Sequence, residues 1–198
     1  MTKIKFLLLI AMTLLFSGCA LTNHVIEQPY QPTLNKIEGA EKYSVFTKVN
    51  FQPVFQNDPK AIGVKKNGYG NETARIYLSE NVEDWLKKGF DQELKAAGFD
   101  VVNSQNNNAV KITLNVRQIF VEPWVGFWSA DVYGIFKIEA KLELPNKDSY
   151  YIRKFVTYDK STNLVWTDGV LESKIINAAQ KSISEIVREI CLLFTRNI

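Results

Sequence analysis

Nucleophilic chemistry has few places to reside in this chain, because its 198 residues include only two cysteines and one histidine. A thiol nucleophile needs a base within hydrogen-bond reach. His24 lies in a polar N-terminal stretch, far along the chain from Cys191. Cys191 shares helical spacing with Ile183, Ile186, Val187, Ile190 and Phe194, and on such a face cysteine acts as a small hydrophobe. The same shortage leaves no Cys/His cluster to hold zinc, so neither a metal nor a cofactor is expected. Carboxylates remain for acid–base work: Glu122, Asp131, Glu139, Glu143, Asp159 and Asp168. Glu139 and Glu143 alternate with apolar residues and read as a solvated strand face. Asp168 before Gly169 reads as a turn or helix entry. A cell-wall hydrolase would need two facing acids, or a nucleophile with its base, and neither set stands out. The expectation is a protein that is not an enzyme.

Two segments point to contact instead. Glu122-Pro123-Trp124-Val125-Gly126-Phe127-Trp128 concentrates aromatics around Pro and Gly between two strands. Trp124, Phe127 and Trp128 are the candidate partner-binding residues, since aromatics dominate interface hot spots. A membrane surface would also suit tryptophan, and the rings could equally fold back over an open end of the core. Lys65-Lys66-Asn67-Gly68-Tyr69-Gly70-Asn71 could cradle an anion, but it lacks the Gly-Lys-Ser/Thr ending of a P-loop. It reads first as a tight hairpin turn.

The elements that must position these residues follow from periodicity. Tyr43–Phe51, Ala61–Lys65, Thr73–Leu78 and Phe99–Val102 read as short strands. Val110–Val121, Asp131–Leu144 and Tyr150–Tyr158 read as longer ones, with the two-residue alternation of a sheet buried on one face. Pro145–Asp148 supplies a turn. Ser79 is the expected N-cap of a helix carrying Val82, Trp85, Leu86, Phe90, Leu94 and Ala97 on one face, and Gly98 is its stop. A second amphipathic helix spans about Leu171 to Phe194. Two apolar helix stripes need one common surface. The expected fold is α+β, a two-layer sandwich of a mainly antiparallel sheet with two amphipathic helices on one face. At 46% hydrophobic and 12% aromatic residues, the chain can fill that core without a disulfide.

The N-terminus has its own logic. Lys3 and Lys5 precede the apolar run Phe6–Phe16, and Ser17-Gly18 completes a secretory signal. The run is shorter than the roughly 20 residues that span a bilayer. With Cys19 directly after Ser17-Gly18, the segment resembles a bacterial lipoprotein signal, although Phe16 stands where that family usually has Leu. The resemblance implies cleavage before Cys19, a diacylglycerol on its sulfur and N-acylation, palmitate included. Ala20 in place of Asp implies sorting to the outer membrane, facing the periplasm. Cleavage removes two lysines and no acid, lowering the formal charge from +3 to +1. That balance gives no electrostatic footprint for nucleic acid.

The domain expectations are a signal peptide at 1–18, a lipidated N-terminus and flexible tether at 19–38, and one periplasmic α+β domain at 39–198. The tether reading rests on Pro29, Pro32 and weak periodicity. Ile62–Gly70, the helix ending Leu94-Lys95-Ala96-Ala97-Gly98-Phe99, the strands and the C-terminal helix together resemble the YajG-type uncharacterised lipoproteins. That resemblance implies no catalytic residues. The functional expectation is a non-enzymatic lipoprotein that binds a protein partner in cell-envelope assembly or transport. The alternative is a lipid or small-ligand carrier with a cavity between sheet and helices.

Overall fold

The computed structural model describes residues 21–106, 108–125, 129–145, 149–163 and 166–195. In chain order the strands are β1 (His24–Ile26), β2 (Ser44–Phe51), β3 (Ala61–Lys66) and β4 (Glu72–Leu78), followed by helix α1 (Val82–Ala97). Then come β5 (Asp100–Val102), β6 (Val110–Val125), β7 (Ala130–Glu143) and β8 (Ser149–Asn163), and finally α2 (Asp168–Thr195). The signal segment, Cys19, Phe127, Trp128 and the Asn146–Asp148 part of the expected turn lie outside the described residues.

All the strands join one sheet with β6 as its spine. β7 pairs antiparallel along β6, and β8 pairs antiparallel with β7. On the other side of β6, β2 pairs parallel with the first half and β3 meets the second half at Gly63↔Val121. β5 adds parallel to β2, β4 antiparallel to β3, and β1 parallel to β4. The architecture is α+β with a large mixed sheet and two helices. The mainly antiparallel ladder expected from the sequence gives way to a mixed one. β2 reaches its neighbours β5 and β6 only after the chain has passed through α1, and a crossover of that kind delivers parallel strands.

β7 buries every second side chain from Ala130 to Leu142. β6 begins in the same way, with Val110, Ile112, Leu114 and Val116 buried, but past a register shift at Arg117 the buried set becomes Ile119, Val121 and Pro123. One extra residue in a strand reverses which parity faces the core. The shift therefore turns Trp124 outward.

Helix α1 is capped by Asn81, whose Oδ1 accepts from the Glu83 and Asp84 amides at 2.8 and 3.4 Å. The expected cap, Ser79, lies two residues upstream of the cap position, where its amide donates to the Ile26 carbonyl of β1 at 2.9 Å. Gly98 ends α1 at φ 106°, a left-handed conformation suited to glycine. α1 packs on β2 and β5, α2 packs on β6, β7 and β8, and the helices touch each other. α2 crosses β7 at Gly134, where a Cβ would stand 2.2 Å from the Lys174 carbonyl oxygen. Its far end is tied down where the Tyr43 hydroxyl donates to the Phe194 carbonyl at 3.2 Å.

Candidate functional site: a docked strap and the sheet end it leads to

The stretch expected to be a flexible tether is, from Asn23 on, bound to the domain. β1 lies in register on β4, from His24↔Ile76 to Ile26↔Leu78, with Ile26 buried. Beyond it the chain crosses α1 as a strap. Glu93, fully buried, receives it. The Glu93 carboxylate accepts from the Tyr30 hydroxyl at 2.6 Å, the Thr33 amide at 3.0 and 3.1 Å, the Thr33 hydroxyl at 3.0 Å and the Leu34 amide at 2.7 Å. A carboxylate out of water needs such donors. Burial first, and then the hydrogen bond to Glu93 and its negative charge, hold the Tyr30 phenol well above its ordinary range.

Packing finishes the dock. The Tyr30 ring meets Trp85 edge-on at 6.0 Å and lies so close over Gly89 that a Cβ there would sit 2.7 Å from it. The Trp85 indole N–H donates to the Gln28 carbonyl at 3.4 Å, and the Ile37 amide to that of Ala97 at 2.9 Å. Tyr30 and Leu34 belong to the same buried core as the sheet and helices. Over its described part the 19–38 stretch is docked rather than flexible, because Ile26, Tyr30 and Leu34 are buried and the Thr33, Leu34 and Ile37 amides find acceptors on the domain.

At the N-terminal end of β1, His24 sits between two acids of α2, with Nδ1 3.6 Å from Asp168 and Nε2 3.5 Å from Glu172. Asp168 also pairs at 2.6 Å with Lys65, whose side chain is fully buried. Asp168 is thus the first residue of α2, where a negative charge suits the helix dipole, and a partner of both strap and sheet. Lys66 pairs with Glu122. In the turn between β3 and β4, Asn67 Oδ1 accepts from the Tyr69 and Asn71 amides at 3.0 Å each. Those amides are occupied within the turn and both lysines face acids, so the turn is a hairpin connection rather than an anion cradle.

Of the expected contact residues, Trp124 is described, and it is 66% exposed. It shares a shallow cleft of 330 Å³ with Lys66, Gly68, Tyr69, Gly70 and Pro123. Tyr69 is 93% exposed. The tip of the β3–β4 hairpin and the end of β6 therefore meet at one end of the sheet. A second cleft, of 340 Å³, lies between the strap at Thr33, Asp159 of β8 and the polar face of α2. Neither cleft is lined by residues of the apolar core, so neither supports the carrier alternative.

Cys191 is buried, and burial pushes its thiol up to about 11. Asp131 accepts from Thr162 and pairs with Lys160, contacts that hold its carboxyl below the usual range. Asp159 pairs with Lys174 at 3.2 Å. Glu143 lies between Lys111 and Lys141, at 2.7 and 2.5 Å. Among the described residues, no three His, Cys, Asp or Glu side chains form a metal-binding group.

The sequence reading did not single out Tyr30, Glu93 or Gly89. One signal was present: an acid at position 93 between Phe90 and Leu94, on a helix stripe otherwise apolar.

Comparison with known proteins adds family and fold. The sequence model of a family described as "Uncharacterized lipoprotein" matches residues 59–191. A crystal structure of a Xanthomonas campestris protein, of the family model DUF330, superposes with a TM-score of 0.55 at 12% identity, covering 83% of this chain and 91% of that one. At that identity the likeness bears on fold alone. A minor lipoprotein from Acinetobacter baumannii superposes with a TM-score of 0.40 at 12% identity, over 74% and 88% of the two chains. No curated protein matches. Among the described residues, no helix is long and apolar enough to cross a membrane.

Proposed function

Starting from the fact that this chain belongs to the uncharacterised lipoprotein family of YajG type, we propose that it is a lipid-anchored, non-enzymatic protein of the outer membrane's periplasmic face that binds a protein partner in cell-envelope assembly or transport. The observation that carries this reading is the docked strap. An anchor on Cys19 would be joined to the domain through chain that is hydrogen-bonded from Asn23 onward, where Asn23 Oδ1 accepts from the Arg75 amide at 2.9 Å. The domain would then be held at the membrane surface, in place to meet a partner.

The partner surface the geometry favours is the outer edge of β8. Among the described residues β8 pairs with β7 alone, over Ser149–Asn163. Such an edge presents backbone donors and acceptors that an added strand can use.

The test is photo-crosslinking in cells from Ser161, on β8, in the wild type and in Cys19→Ser. Capture of one envelope protein that disappears with Cys19→Ser supports an anchored, partner-binding protein. The same capture from an unlipidated chain would refute the dependence on the anchor. No capture from anchored protein would refute the partner surface.

A further inference from the structure

We propose that the sheet end bearing Leu21, Tyr69 and Trp124 is a lipid-facing surface, seated in the interface of the leaflet that holds the acyl chains of Cys19. The inference rests on the anchored reading above and goes beyond it, since an anchor alone leaves the domain free to face any direction.

Strand direction fixes where the N-terminal chain leads. β1 runs parallel to β4 with His24 opposite Ile76, and Asn23 meets Arg75. Upstream chain therefore travels toward the start of β4 at Glu72, which is the β3–β4 hairpin tip carrying Tyr69. Cys19 is two residues before Leu21, and two residues reach at most about 7 Å. A lipid on Cys19 would thus be confined to this end of the sheet. β3 runs parallel to β6, which brings Trp124 to the same end, and the cleft shared by Tyr69 and Trp124 joins the two tips.

Exposure selects the same end. Among the described residues the exposed large hydrophobics are Leu21, Val25, Tyr69, Trp124 and Leu192. The first four lie on the tips or on the β1 approach, and only Leu192 is elsewhere, on the last turns of α2. Tyrosine and tryptophan with one wet and one apolar side are the residues favoured at a membrane–water interface. Charge does not compete as the attraction, because Lys65 and Lys66 both face acids of this chain. A seat of this kind depends on apolar insertion, so it should form on neutral lipid as well as on anionic lipid.

A protein partner at Trp124 is the rival occupant. The topology favours lipid, because the only body the chain itself holds against this end is the leaflet carrying Cys19.

The experiment uses the full lipidated protein reconstituted in phosphatidylethanolamine vesicles. Tyr69→Cys and, separately, Ser149→Cys are labelled with an environment-sensitive fluorophore. Ser149 sits opposite Glu143 at the far end of the sheet, roughly 45 Å from Trp124 at about 3.3 Å per residue along β6. Buried Cys191 does not compete for label. Spin-labelled lipids then report depth. The expected result is severalfold stronger quenching at position 69 than at 149, with a blue-shifted emission that Trp124→Ser weakens while thermal stability stays unchanged. Equal quenching at the two positions on protein that floats with the vesicles would overturn the inference and leave the anchor standing. Protein that does not float, with no acyl mass on Cys19, would overturn both.

Discussion

Removing the carboxylate of Glu93 should release the strap while leaving the domain folded. In Glu93→Ala, the Tyr30 hydroxyl, the Thr33 amide and hydroxyl and the Leu34 amide all lose their acceptor. Thr33 is exposed and its donors can turn to water, so the buried orphans are the Tyr30 hydroxyl and the Leu34 amide. Bonds to a charged group are worth roughly 1.5–3 kcal/mol each, so keeping the strap docked would cost about 3–6 kcal/mol. Peeling the strap into water satisfies those donors and forfeits mainly the burial of Tyr30 and Leu34, roughly 1.5–3 kcal/mol each. The two routes cost about the same, so the strap should open for a large share of the time, with a loss of about 3–6 kcal/mol either way. For a chain of this size that corresponds to a fall in Tm on the order of 10 °C. Two readouts separate peeling from general weakening. Hydrogen exchange at the Thr33 and Leu34 amides should lose its protection while the β6 and β7 amides keep theirs, and limited proteolysis should cut between residues 27 and 38. A variant with unchanged Tm and with amides 33 and 34 still protected would refute the assignment of Glu93 as the strap's receiver.

Gly89→Ala should reverse its usual sign. Alanine ordinarily favours a helix over glycine by about 1 kcal/mol, but here the new Cβ would press on Tyr30, so chemical denaturation should show a loss in the wild-type background and a gain in Tyr30→Ala. The raised Tyr30 phenol gives alkaline sensitivity. Its contribution is complete below its ordinary value near 10 and declines as pH rises above it, so Tyr30→Phe should flatten that limb of the stability–pH curve. Hydrogen bonds from Lys111 and then Lys141 bring the Glu143 carboxyl down to about 2. Its stabilising effect should therefore be present above about 4.5 and fade as pH falls toward 2. A carbon-detected NMR titration should show the low midpoint in wild type and a return toward the ordinary value in Lys111→Ala.

How legible this molecule was depended on how local each cause is. β7 could be read directly, since its alternation runs from Ala130 to Glu143 without a slip. The two helices showed their apolar stripes, and Gly98 showed its stop. Alternation gives the face a residue occupies, not the neighbour its strand takes, so the parallel pairings of β2 and β3 with β6 were out of reach. The shift at Arg117 hid the continuation of β6 to Val125. Ser79 and Asn81 are equally good caps by type, and the start of the helix at Val82 decides between them, since it puts the Asn81 side chain within reach of the first free amides. The strap was the least legible feature. Its order comes from Tyr30, Thr33 and Leu34 meeting one acid about sixty positions away, and nothing in residues 27–38 alone announces that.

The strap also decides how an anchored domain would stand. A flexible tether over residues 19–38 would let the domain wander by roughly 25 Å, whereas the chain is docked from Asn23 on. The hold of β1 is conditional on this. If residues 27–43 were loose, seating the three residues of β1 would mean closing a loop, at roughly 2.5 kcal/mol for that length. Burial of Ile26 offsets about 1.5–3 kcal/mol, so the two nearly cancel. Glu93→Ala should therefore act at a distance. It should weaken the quenching of a label at position 69 by membrane lipid, although Glu93 lies on α1 and the acyl chains on Cys19 are untouched. Flotation with vesicles should persist, because anchoring does not depend on the dock. Full quenching in Glu93→Ala would mean that β1 and its contacts to Asp168 and Glu172 orient the domain without help from the strap.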